Sequence, residues 1–153
     1  MRHGFTLVEI LIVVVILGIL AAVITPNFAD ASDEARRTAF ISELDIFKDA
    51  CEYYMAKEGT LLPDSSSGAF PPQLTGFAKP GGWTDGTPVG GVWDVETNDN
   101  GIVSGIGVHF DGTGETRDDA YMQFIDVIID NGDITTGTFR RIAGGRYYYI
   151  LAD

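Results

Sequence analysis

Residues 10–24 carry no charged and no strongly polar side chain, and that run limits what the chain can become more than any other feature. Extended to residues 5–25 it is 21 residues long, about 30 Å of helix, which matches the hydrocarbon core of a bilayer. One carboxylate, Glu9, lies inside it. A charge at mid-membrane costs about 2.5–3.5 kcal/mol, so Glu9 needs a partner or a functional reason to be there. Arg2 precedes the run, which keeps the N-terminus on the cytoplasmic side and sends the remainder outwards. Two plain readings account for the run without using Glu9. One is a signal anchor whose Glu9 snorkels to the headgroups. The other is a secretory signal peptide with Ala29-Asp30-Ala31 as its small-residue cleavage site.

The residues around Glu9 are more specific than either. Met1-Arg2-His3-Gly4 is a tiny basic leader, and Phe5-Thr6-Leu7-Val8-Glu9 places the acid four residues after an aromatic. The combination resembles the processing signature of type IV pilins and type II secretion pseudopilins. The resemblance implies cleavage between Gly4 and Phe5 by a membrane-embedded prepilin peptidase and N-methylation of Phe5. It also implies that Glu9 pairs with the Phe5 amine of a neighbouring subunit during assembly. An ammonium and a carboxylate in a low dielectric attract strongly and relieve each other's desolvation. Pro26 fits as well, since pilin helices often carry a proline near the end of the membrane segment.

Composition narrows the rest. The chain has 153 residues and a formal net charge of −12. About 125 residues remain outside the apolar segment, enough for one small domain with one core. The acidic balance argues against nucleic-acid or anionic-membrane binding, both of which want a basic patch. The single cysteine, Cys51, cannot close an intrachain disulfide. Many type IV pilins close a C-terminal loop with a cysteine pair, so its lack points towards a pseudopilin-like member. Cys51 itself reads as a small buried hydrophobe.

Beyond the apolar run, Phe40, Leu44, Phe47, Cys51 and Tyr54 recur at helical spacing with Lys48, Asp49 and Glu52 largely off the stripe. The spacing predicts one helix from Phe5 to about Glu58, kinked or locally unwound at Pro26 and stopped by Gly59. Residues 60–91, rich in Gly, Pro and Ser, read as a long irregular connection pinned by Phe70, Phe77 and Trp83. Alternation in residues 92–95 and 102–110 predicts a hairpin across Asn98-Asp99-Asn100-Gly101. Residues 120–130 read as a short helix capped by Asp118-Asp119, and residues 138–142 and 146–151 as a second hairpin. The fold class is α+β, and the resemblance supplies the arrangement, a helical spine on a small antiparallel sheet. The divisions are a leader at 1–4, a membrane or filament-core helix at 5–25, its amphipathic continuation at 26–59, and a globular region at 60–153.

Catalysis has little support. His3 sits in the leader, and His109 alternates with the inward-pointing Val108 and Phe110, so it is expected to face solvent. No local nucleophile motif appears, and the glycines of 81–91 lack the Lys-Ser/Thr of a phosphate loop. No cofactor is certain, and calcium is the one candidate. Asp94, Glu96, Asn98 and Asn100 crowd oxygen ligands around the first turn, and Asp111, Glu115, Asp118 and Asp119 form a second acidic run. The 96–101 stretch resembles the start of an EF-hand loop, but Gly107 stands where the bidentate carboxylate should be. Major pseudopilins bind calcium as a class; solvated turn carboxylates are the alternative. Arg36 and Arg37 are candidates for pairing with Asp30, Asp33 or Glu34 of a neighbour. One Tyr147-Tyr148-Tyr149 face reads as core; the other aromatic reads as core or, second to that, as a subunit contact.

The resemblance implies a filament subunit, most simply of a type II secretion pseudopilus. The alternatives are a type IV pilus subunit or a membrane-anchored or secreted binding module. The expected partners are further copies and other pilins, the prepilin peptidase and the inner-membrane assembly platform. The expected course runs from single-pass inner-membrane precursor to periplasmic or extracellular filament.

Overall fold

The computed structural model describes residues 4–153, and the leader residues 1–3 and the side chains of Pro26 and Asn27 lie outside that description. The chain forms two compact units, one ending at Ala35 and the other Arg36–Asp153. Helix α1, Leu7–Glu58, contributes to both. It is helical through Pro26, so the local unwinding expected there does not occur; the geometry about that side chain is outside the described residues. The helix ends as its sequence requires, with the Gly59 N–H donating to the Met55 carbonyl.

Within the second unit α1 turns its aromatic stripe inwards. Phe40, Leu44, Phe47 and Cys51 are buried. Phe40 stacks on Trp93 with centroids 5.1 Å apart, and Phe47 meets Trp83 and Trp93 edge-on at 5.0 and 5.1 Å. Such pairs contribute about 0.5–1.5 kcal/mol each beyond their buried area. The 60–91 connection is less irregular than its composition suggests. It holds a 3-10 turn, Pro72–Leu74, and a short helix α2, Pro80–Thr84, each started by a proline whose missing N–H would go unused there. Leu62, Leu74, Trp83 and Val89 anchor it in the core.

Strands β1 (Val92–Asp99) and β2 (Ile102–His109) form the first hairpin, and β3 (Phe139–Ala143) and β4 (Arg146–Ala152) the second. Asn100 and Gly101 make its turn with φ of 50° and 81°, the left-handed pair that suits strand twist. The hairpins join through β2 and β4 into one antiparallel sheet of order β1-β2-β4-β3. Gly107 makes that junction possible, because a Cβ there would lie 2.0 Å from the Tyr147 carbonyl oxygen. Each edge strand also makes a backbone hydrogen bond outside the sheet. The Gly68 N–H donates to the Trp93 carbonyl beside β1, and the Arg141 N–H of β3 donates to the Ile134 carbonyl.

Helix α3, Asp119–Ile129, sits between the hairpins in sequence, with Asp118 as its N-cap accepting from the Tyr121 N–H. Met122, Ile125 and Asp126 are buried. Burial pushes the Asp126 carboxyl above the usual carboxylate range; the Asp130 charge adds to this, and the N–H groups of Gly132 and Asp133 oppose it.

Tyr147 and Tyr148 point to opposite sheet faces, yet both are buried. The second aromatic is therefore core as well and not a subunit contact, because this small sheet is covered on both sides.

Candidate processing and assembly site

In the first unit the chain offers an apolar surface and one polar device. Every large apolar side chain of residues 7–24 is about half exposed or more, and this helix is the one among the described residues long and apolar enough to cross a membrane. Gly4 and Phe5 precede the first turn, both exposed.

Thr6 and Glu9 form a reciprocal cap. The Thr6 N–H and hydroxyl each donate to Glu9 Oε2 at 2.8 Å, and the Glu9 N–H donates to Thr6 Oγ1 at 3.2 Å. This is the capping box, in which residues three apart satisfy each other's orphan amides at a helix start. Thr6-Leu7-Val8-Glu9 spells it in the sequence, and the sequence reading missed it by treating Glu9 only as a charge awaiting a partner. The cap does not compete with that role. Both Thr6 bonds fall on Oε2, so Oε1 keeps its lone pairs, and removal of residues 1–4 would leave the Thr6 amide in place. Pro26, also assigned to assembly, has its side chain outside the described residues.

The second unit shows where the remaining candidates lie. Asp94 and Glu96 lie on the sheet face away from α1 and are only 1% and 5% exposed. Arg146 bridges them, 2.9 Å from Asp94 Oδ2 and in direct contact with Glu96 Oε1. Asp94 Oδ2 also accepts from the Ser67 hydroxyl at 2.9 Å and the Tyr148 hydroxyl at 2.6 Å. Asn98 and Asn100 are exposed at the hairpin end and both adopt positive φ. The four do not fit a calcium site as arranged, because an arginine occupies the position a cation would take. The second acidic run is likewise engaged: Glu115 with Arg36 and Arg117, Asp118 as the N-cap, Asp119 with Arg141, and Asp111 with Thr113. Among the described residues no three His, Cys, Asp or Glu side chains are grouped to hold a metal.

His109 departs from expectation. It does not face open solvent but is half-buried on the second sheet face, its Nδ1 2.9 Å from Ser67 Oγ. Alternation placed it on the face opposite Val108 correctly; what it could not foresee is that the 60–91 connection covers that face. Ser67, His109 and Asp94 are the residue types of a hydrolase triad, but the order is wrong. Serine donates directly to the aspartate, and the same Nδ1 faces both partners, so the imidazole cannot relay a proton between them. Arg36 and Arg37 also find partners at home. Arg36 pairs with Glu115 at 2.9 Å, and Arg37 lies over the rings of Tyr121 and Phe124 at 5.1 and 5.2 Å.

Comparison with known proteins agrees with the N-terminal geometry. Residues 1–25 match the prokaryotic N-terminal methylation motif. The chain is 40% identical over 53 residues to the type II secretion system core protein G of Klebsiella michiganensis, covering 35% of this chain and 37% of that one. It is 35% identical over 84 residues to the core protein G of Pseudomonas aeruginosa, covering 54% and 58%. It is 45% identical over 51 residues to a fimbrial protein of P. aeruginosa, covering 33% of each. The matches thus span a third to somewhat over half of these relatives' lengths. No solved structure matches the chain. The names of these relatives are those of secretion-system and fimbrial components, not of enzymes. The resemblance to type IV pilins and type II secretion pseudopilins, read from Gly4, Phe5 and Glu9, is borne out by the methylation motif and by these relatives.

Proposed function

We propose that the chain is a structural subunit of a pilus-like filament, of the type II secretion pseudopilus kind, that assembles through its N-terminal helix to drive protein secretion. The observation that carries this reading is the apolar surface of residues 7–24, each large side chain of it about half exposed or more, interrupted only by Glu9, which helps cap the helix start. Such a surface must be covered, first by lipid and then by neighbouring helices. The precursor spans the inner membrane once with the globular unit outside, the prepilin peptidase cuts between Gly4 and Phe5, and an assembly platform feeds subunits to the filament. Lipid tails are as apolar as leucine, so transfer from bilayer to helix bundle gains little hydrophobic free energy. Packing and the pair between Glu9 and a neighbour's Phe5 amine therefore decide register.

The test is the mass of the N-terminal peptide from the native host together with assembly of Glu9→Ala. A start at methylated Phe5, with Glu9→Ala processed normally but failing to polymerise, is the expected result. A start at Ser32, or normal filaments from Glu9→Ala, would overturn it. The fimbrial relative favours a surface pilus as the second reading, and the site where filaments accumulate, periplasm or cell exterior, separates the two.

A further inference from the structure

Two apolar features of the second unit stay exposed among the described residues. On α3, Phe124, Val127 and Ile128 are 62%, 62% and 64% exposed. Four and seven or eight residues apart from Ala120, they form a ridge on the helix face turned away from Met122 and Ile125. Elsewhere a groove of about 660 Å³ is lined by Ile46, Phe47, Phe77 and Ala78 together with Glu43 and Lys79. Ile46 is 58% exposed.

Their positions around α1 are complementary. A helix advances about 100° per residue, so the buried stripe of Phe40, Leu44, Phe47 and Cys51 leaves Arg37 on one flank and Glu43 and Ile46 on the other. The ridge belongs to the Arg37 flank, since the Arg37 guanidinium lies over the Phe124 ring. Charge follows the same division. The ridge carries the cation Arg37, whose contacts there are aromatic faces. The groove carries Glu43, whose carboxyl is pushed up by burial, against the Trp93 indole N–H, and further by the charge of Asp85.

Resting on the filament reading above, we propose that the α3 ridge of one copy seats in the Glu43–Ile46–Phe77 groove of the next, with Arg37 brought to Glu43. A second copy is the occupant because the chain itself supplies both halves, an apolar ridge beside the cation Arg37 and an apolar groove lined by Glu43 and Lys79, where the nearby Asp85 leaves the balance anionic. At a net charge of −12, copies repel one another except where opposite charges meet, and an anionic bilayer would repel the ridge's surroundings as well. Ridge and groove sit on opposite flanks, so the contact is heterologous. It repeats from copy to copy rather than closing as an isologous pair, which is the geometry of a filament.

The test is disulfide trapping in the full-length chain carrying Ile46→Cys and Phe124→Cys together. Burial pushes the native Cys51 thiol up to about 12, so it stays silent under mild oxidation. A ladder of dimers, trimers and longer species, given by neither single variant, is expected in assembled filaments. Filaments that form normally without a ladder would overturn the contact, and dimers from Phe124→Cys alone would place ridge against ridge and overturn it too. Should the cysteine pair itself hinder assembly, the charge swap decides. Arg37→Glu or Glu43→Arg alone should lower polymer yield about tenfold, and the two together should restore it; no rescue counts against the contact. Trapping is also read on the chain held in membranes. A ladder there from a chain that never forms filaments would refute the filament reading and leave this contact standing.

Discussion

Replacing Arg146 by methionine isolates the electrostatic centre of the sheet. The guanidinium neutralises two carboxylates at once, Asp94 and Glu96, that are 1% and 5% exposed. Removing one partner of a buried pair costs about 3–5 kcal/mol, because the charge left behind has neither water nor counterion. Arg146 is itself about one-fifth exposed, so some solvent screening remains and the lower bound, about 3 kcal/mol, is expected at pH near 7. For a unit of this size that is a fall in melting temperature of roughly 12 °C or more. Urea unfolding of the full chain in detergent, followed by fluorescence of the buried Trp83 and Trp93, measures this. A loss below about 1 kcal/mol at neutral pH would refute the reasoning. Adding Asp94→Asn and Glu96→Gln to Arg146→Met should return most of the stability.

Thr6→Val removes the hydroxyl half of the N-terminal cap and should cost about 1 kcal/mol locally, seen as faster amide exchange at residues 7–10, while assembly persists. Glu9→Gln keeps a hydrogen-bond acceptor for Thr6 but no charge, so it should impair polymerisation as severely as Glu9→Ala; normal polymerisation would mean the cap, not the charge, is what the residue provides. Asp126→Asn should stabilise the chain at neutral pH. The wild-type carboxyl is raised in the folded state, so its ionisation costs stability as pH climbs above the unfolded value near 3.8, and the amide variant should show a flatter pH profile in the same urea assay.

What the sequence disclosed and what it withheld divide along sequence distance. The α1 stripe, the Asn100-Gly101 turn and the Asp118 cap are local patterns, and each was readable from neighbours within a few residues. The β2–β4 pairing was not, because it joins hairpins about 40 residues apart and depends on Gly107 admitting the Tyr147 backbone. The Asp94–Arg146 pair spans 52 residues, so periodicity showed only an acidic cluster and suggested a cation from outside. His109 was placed on the correct face but assigned the wrong environment, since no local signal says which face a long Gly/Pro-rich connection will cover. The capping box was legible and overlooked, as the same glutamate also suited a more distant role.

The bonds made outward from the two edge strands have a consequence for how such a chain self-associates. A protein stored at high density and required to polymerise runs a constant risk of polymerising the wrong way, by strand addition at an open edge. Here β1 already spends a backbone acceptor on the Gly68 N–H, and its Thr97 hydroxyl donates to the Leu62 carbonyl alongside it. Strand β3 is five residues long, carries Arg140 and Arg141, and donates outwards to Ile134. Strand addition is thereby hindered at both ends of the sheet. A neighbour's strand would have to displace bonds that the chain already makes with itself, so each edge is a poor template for amyloid-like growth.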